Sequence, residues 1–359
     1  ASTAPIRPEA LEAVQAAYLS PVADPARLHA EGLHARQSLE LARDQIAAFL
    51  GARNREVMFT SGTSESAATV ARAFAGEVQV VTAIEHPSVL KSVEAAGPAL
   101  VVGVDTQGLV CLDELNSALG DDVAVVHVQF GNQETGVVQP VAEIAELCRS
   151  QGVLLHVDAA QAAGHLRIDF EALELDFLSL SAHKLGGPPG IGVLCIRRGV
   201  RIPALVVGGF QERARRAGFE NLPAAAGFAA ACTAIDISSE AATQESLVQE
   251  LRTGLSQVSG VEIFTPQSSS LPHILCIGIN DVEPQAVLLD LDRAGIAAHS
   301  GAACASEDLE PSPVLAAMGL DAHHSLRFSV GWHSEAQDIQ RTLLEVAASL
   351  TRLRDLATR

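Results

Sequence analysis

The sequence predicts an α/β protein: a mostly parallel seven-stranded sheet sandwiched by helices, followed by a smaller α+β domain. Three observations carry this expectation. Apolar segments of strand length alternate with helical patterns through the first two-thirds of the 359 residues. Most of those segments are near-continuous Val/Ile/Leu runs, the pattern of strands covered on both faces. After about residue 236 the rhythm changes to a polar helix, an apolar strand, a helix, a small-residue loop and a last strand.

Taken in order, Leu39, Ala42, Ile46 and Phe49 recur at helical spacing before Gly51 and predict an amphipathic helix. Candidate strands follow at 56–60, 78–84, 99–104, 123–130, 153–159, 177–182 and 191–198. Helical stretches SVLKSVEAAG, CLDELNSALG and VAEIAELCRSQG lie between them. The tail contributes a helix at 241–258, a strand PHILCIGI, a helix PQAVLLDLDRAG, the loop HSGAACASEDLEPSP and a strand SLRFSV. Ile339, Leu343, Val346, Leu350 and Leu353 then step by four and three, behind a Ser334…Gln337 capping box. At about 150 residues per domain the length suits two domains. They divide as 10–236, and 237–359 with 1–9.

Composition narrows the function. Hydrophobic residues make up 48% and charged residues 19%, which excludes a disordered chain. The 24 Lys plus Arg against 43 Asp plus Glu give a net charge of −19, unsuited to nucleic acid or anionic lipid. No run approaches the roughly 20 apolar residues of a membrane span. The nearest, LPAAAGFAAACTAI, is short and mostly alanine. The amino end lacks the basic and apolar regions of a signal peptide. Six scattered cysteines fit neither a disulfide framework nor a zinc site. The expectation is a cytoplasmic protein without a metal.

Two lysines occur, Lys91 and Lys184, beside 22 arginines. Lys91 suits an exposed helix face. Lys184 follows the apolar strand FLSLSA and precedes the glycine-rich LGGPPGIG, at a strand's carboxyl end, where open α/β sheets place ligands. A cation there needs a partner or a neutral form. Arginine cannot form an imine and lysine can. Position alone leaves two readings, an ion-paired lysine at a domain seam and an imine-forming lysine. Asp158 ends the run VLLHVDA in the same way. Read singly it is a cap or an ion-pair partner, but with Lys184 it suits pyridoxal phosphate, whose ring nitrogen a carboxylate keeps protonated. In FTSGTSES the strand turns at Gly62 into a helix opening on Thr63 and Ser64, a start that binds phosphate or simply caps.

At this point the runs TSGTSES, EHPSVL, NQETGVVQP, HVDAAQAAG, SAHKLGGPPGIG, HSGAACASEDLEPS and LRFSVG resemble, in order and approximate spacing, cysteine desulfurases. These belong to the class V aminotransferase group of fold-type I pyridoxal-phosphate enzymes. The likeness covers nearly the whole chain, and ASTAP resembles the end of the family's N-terminal signature, implying a few residues before it. The resemblance implies pyridoxal 5'-phosphate as cofactor, with Lys184 as the amine that holds it. It pairs Asp158 with the ring nitrogen and Gln161 with the ring oxygen, and it stacks His86 on the ring. It gives Thr63, Ser64, Ser181 and His183 the phosphate, and Arg327 the substrate carboxylate. Cys304, among small residues, matches the nucleophile that takes sulfur as a persulfide. The other five cysteines read as core.

There are departures. Asn132-Gln133-Glu134 stands where the family reads N-N-E, so Gln133 takes a substrate- or cofactor-contacting place. Arg216-Ala217-Gly218-Phe219 replaces R-S-G-T, and Phe219 cannot make that threonine's hydrogen bond across a dimer. Gly208-Gly209-Phe210-Gln211-Glu212 replaces G-G-G-x-E. These changes imply altered affinity or partner choice with the reaction kept. That reaction converts L-cysteine to L-alanine, and Cys304 passes its persulfide to an acceptor protein. The acceptor is an iron–sulfur cluster assembly scaffold, a tRNA-thiolation protein or a dedicated carrier. A homodimer is implied. The alternatives on the same fold are a selenocysteine lyase and a cystine C–S lyase.

Overall fold

A computed structural model describes residues 2–20, 23–300 and 311–357. Helices α1 (Pro8–Leu19) and α2 (Ala30–Phe49) precede β1 (Val57–Thr60). Helices and strands then alternate as α3 (Thr63–Ala73), β2 (Val78–Thr82), α4 (Pro87–Ala96) and β3 (Ala99–Val102). The alternation continues through α5 (Leu112–Ala118), β4 (Val123–Gln129), α6 (Val141–Gln151) and β5 (Leu154–Asp158). Next come β6 (Phe177–Ser181) and β7 (Gly192–Ile196), then α7 (Gln211–Ala214) and α8 (Leu222–Ala234). The remainder is α9 (Ile237–Leu255), β8 (Val261–Ile263), β9 (Ile274–Ile279), α10 (Pro284–Arg293), α11 (Pro313–Ala317), β10 (Ser325–Ser329) and α12 (Ala336–Ala357).

All seven expected strands form one sheet, in the order β1-β7-β6-β5-β4-β2-β3. The pairs β2–β3, β2–β4, β4–β5 and β5–β6 are parallel, while β7 runs antiparallel to both β6 and β1. Residues 182–191 are too few for a crossover helix, so β7 must return antiparallel. The switch brings the turn after β6 to the carboxyl end of β5. Burial on both faces holds in the middle of the sheet and fails at the edge strand β3, where Leu100 and Val101 are exposed.

A second sheet, β10-β9-β8, is antiparallel. Its apolar face packs with α9, α10 and α12 into a separate core around Leu251, Ile277, Leu326 and Val346. Strand β8 escapes the sequence pattern because it is three residues long and half-buried. Helix α9 begins earlier than the polar run suggests, because Asp236 caps it by accepting the Ser239 N–H. The expected Ser334…Gln337 box does not form. Asp338 accepts the Glu335 N–H instead, and Ser334 Oγ accepts from Gly331 N–H.

Among the described residues no single helix is long and apolar enough to cross a membrane. The alanine-rich α8 is a core helix packed on α1 and α2. Cys148, Cys195, Cys232 and Cys276 are buried as expected, and Cys111 differs, half-buried just before α5. Lys91 is exposed and paired with Glu94.

One buried ion pair ties the segment before α8 to the sheet. Arg43 of α2 donates to both Glu212 oxygens at 2.6 and 2.8 Å, with both side chains 2% exposed. Glu212 also accepts the Phe59 N–H of β1. Glu212→Ala would leave the buried Arg43 guanidinium only the part-exposed Glu40 carboxylate and the Val57 carbonyl. We expect a loss of about 3–5 kcal/mol in urea denaturation, whereas a surface pair such as Lys91–Glu94 contributes at most about 1 kcal/mol.

Candidate active site

The carboxyl ends of β4, β5 and β6 and the start of α3 surround a cavity of about 270 Å³. Thr63, Ser64, His86, Gln133, Asp158, Gln161, Ser181, His183, Lys184 and Arg327 all line it. Every sequence-nominated site residue among those described is therefore in one place. Cys304 lies outside the described residues.

At one end lies the start of α3. Thr63 N–H donates to Ser181 Oγ at 2.8 Å, and the Thr63 and Ser181 hydroxyls are 2.7 Å apart. The backbones meet closely here. A Cβ on Gly192 would fall 2.7 Å from the Gly62 Cα, so glycine at 192 lets β7 pass beneath this turn. The result is a hydroxyl-lined helix start that suits an anion.

Asp158 ends β5 and accepts the Ala160 N–H at 2.9 Å. Burial raises its pKa to about 6, although the Ala160 N–H and the nearby Lys184 charge pull it down. Such a carboxylate gains from a buried cation placed against it. Lys184 follows β6 in a single 3-10 turn, Ala182–Lys184, half-buried on the same cavity. The Lys184 charge also lowers the pKa of His86 and of His183, after burial, which is the larger cause for both.

His86 caps α4. Its Nδ1 accepts the Ser88 N–H at 3.1 Å and lies 2.8 Å from Ser88 Oγ. That fixes the neutral ring's proton on Nε2. Arg327, on β10, donates from Nη1 to the Gln133 carbonyl at 2.9 Å and from Nη2 to Ser2 Oγ at 3.2 Å. The second sheet thus delivers a guanidinium to the first sheet's site. Gln133 lines the cavity from a turn that Asn132 builds by accepting the Glu134 and Thr135 N–H groups. Phe219 lies elsewhere, exposed on an apolar groove.

Sequence reasoning passed over Gln129, Ser88 and Glu85. Gln129 is the register partner of Asp158 and ends its own apolar strand, so the signal that marked Asp158 marks it too. Glu85, adjoining His86, accepts from Thr82 Oγ1 at 2.6 Å and from Gln129 N–H at 2.7 Å. Burial raises its pKa to about 8, and the Asp158 charge adds to that. In the folded protein without a bound group, Glu85 keeps its proton where the unfolded chain has lost it. Stability therefore falls as pH rises from about 4.5 to about 8. Glu85→Gln is expected to flatten that fall, read as melting temperature against pH.

The comparisons accord with this geometry. The Aminotransferase class-V family model matches residues 1–342. This chain belongs to the class-V aminotransferase family, on its cysteine-desulfurase branch. It is 36% identical to "Cysteine desulfurase" of Trichormus azollae, over 99% of this chain and 93% of that one. It is also 36% identical to "Cysteine desulfurase IscS" of Methanosarcina thermophila, over 99% and 92%. Among solved structures, a NifS-like protein superposes with TM-score 0.92 at 30% identity, over 98% of both chains. An apo cysteine desulfurase from Thermococcus onnurineus NA1 gives TM-score 0.88 at 26% identity, over 98% and 94%. The expected fold is the family's fold.

Proposed function

We propose that this family member takes the sulfur of L-cysteine onto Cys304 and releases L-alanine, with pyridoxal 5'-phosphate as its cofactor. One observation carries the reading: Lys184, Asp158 and Arg327 face a single cavity from three elements. The donor set fits the cofactor. The buried Asp158 carboxylate suits the pyridine nitrogen, the start of α3 with Ser181 suits the phosphate, and the Lys184 amine suits the aldehyde. Gln161 and His86 line the space between them, where the ring would lie, and His183 adjoins the phosphate end.

When bound, this cofactor provides an electron sink for charge at the substrate's α-carbon. Arg327 binds the substrate carboxylate through its fork, oriented by the Gln133 carbonyl. Lys184 carries the α-proton. His86, with its proton on Nε2, donates toward the reacting face. The Cys304 thiolate attacks the substrate sulfur: an S–S bond forms, the substrate's C–S bond breaks, and the carbon fragment takes up protons to become alanine. The described flanks of the 301–310 segment are anchored beside this site. His299 pairs by backbone with Arg327, and Ser312 Oγ donates to Glu134 at 2.5 Å.

The sulfur then passes to an acceptor thiol on a separate protein, in a cytoplasmic setting that accords with five free cysteines. Exposed Leu19, Val207, Phe210 and Phe219 support a homodimer. The test is product analysis after incubation with L-cysteine, with peptide mass spectrometry. Alanine, together with one added sulfur on the Cys304 peptide, is expected. Pyruvate as the main product would overturn the reading.

A further inference from the structure

Lys184 sits in a turn whose backbone carbonyls are taken up by residues 3–7. Ala4 N–H donates to the His183 carbonyl at 2.9 Å, and Thr3 Oγ1 donates to the same oxygen at 3.3 Å. Arg7 N–H donates to the Gly186 carbonyl at 2.8 Å, and Arg7 Nε to the Leu185 carbonyl at 2.9 Å. Residues 3–7 therefore run as a strap along 183–186. The glycine pair after Lys184 suits this closeness. A Cβ on Gly186, whose φ is +79°, would fall 2.7 Å from Arg7 Cγ and 3.0 Å from the Pro5 carbonyl oxygen.

The Arg7 side chain reaches past the turn and is only 8% exposed. Its Nη1 and Nη2 donate to the two Glu240 oxygens of α9 at 2.9 and 2.6 Å. Its Cζ lies 5.3 Å from the centre of the Trp332 ring, and Trp332 Nε1 donates to the Pro5 carbonyl at 3.1 Å. Trp332 follows β10, the strand that carries Arg327. We propose that Arg7 is a positioning residue for the reaction: it fixes the turn that carries the Lys184 amine and ties that turn to α9 and to the end of β10. Arginine suits the task because it serves two partners at once. Its Nε takes the Leu185 carbonyl while its fork takes the Glu240 carboxylate. A lysine ammonium, a single point on a flexible stem, holds one of them.

The inference rests on the reading of Lys184 as the cofactor's amine, but its first readout needs no cofactor, so the two fail separately. Hydrogen exchange of the cofactor-free protein is followed at the Leu185 and Gly187 amides, which both donate to the Ala182 carbonyl at 2.9 Å. Arg7→Ala is expected to speed exchange there about tenfold or more, with β4 and β5 unchanged. Its affinity for pyridoxal 5'-phosphate, titrated by visible absorbance, is expected to fall by about the same factor. Arg7→Lys separates positioning from stability, and it reads the proposal even where Arg7→Ala does not fold. It keeps a cation for Glu240 and is expected to retain the wild-type melting temperature, while exchange at 185 and 187 is fast and the affinity low. Exchange and affinity unchanged in Arg7→Ala would overturn the proposal. So would an Arg7→Lys protein with wild-type exchange, affinity and melting temperature together, because Arg7 would then be a structural anchor alone.

Discussion

Lys184→Ala is expected to abolish both the visible absorbance of bound pyridoxal phosphate and alanine release from cysteine, the latter by on the order of a thousandfold or more. Lys184→Arg should do the same. Its guanidinium keeps the charge but neither forms an imine nor carries a proton at working pH. The two variants part electrostatically. The Lys184 charge lowers His86 and His183 and also lowers Asp158. Removing it in Lys184→Ala should raise all three pKa values, whereas Lys184→Arg should leave them low. Ring-proton NMR titration of the two histidines reads this directly. Visible absorbance and turnover that persist in Lys184→Ala would mean that another group holds the cofactor. Since Lys91 is exposed and paired with Glu94, no second lysine is placed to do so.

The legibility of this site has a physical source. A fully covered parallel sheet forces its strands to be apolar, so a polar residue at a strand's last position stands out against the run. Asp158 and the lysine after FLSLSA were visible for that reason, whereas Ser181 was assigned only by family likeness. Gln129 carries the same mark and shows that the signal is wider than the residues first drawn from it. Arg327 stood in an apolar strand and was assigned only by family likeness, because its meaning depends on one sheet reaching the other's site. The edge exposure of β3 and the shifted cap of α12 were equally illegible. Both depend on neighbours: a missing strand on one side, and a carboxylate at Asp338 that competes better for a free N–H than the Ser334 hydroxyl.

Cys304→Ala should separate binding from sulfur transfer. The variant is expected to keep the visible absorbance and to perturb it on adding cysteine, since Lys184, Asp158 and Arg327 are untouched. Alanine and persulfide formation should fall together, by on the order of a thousandfold or more, because the attacking sulfur is gone. No other cysteine is suited to replace it. Burial pushes the thiol of Cys148 up to about 12 and raises those of Cys195, Cys232 and Cys276 still further. Cys111, half-buried, is raised by burial and by the Glu114, Asp105 and Asp113 carboxylates around it. Thiolate is the attacking form, and all five environments disfavour it. Persulfide should therefore vanish in Cys304→Ala rather than migrate to another position. Alanine release at the wild-type rate, or sulfur found on Cys111, would remove Cys304 from the reaction and leave the cofactor site standing.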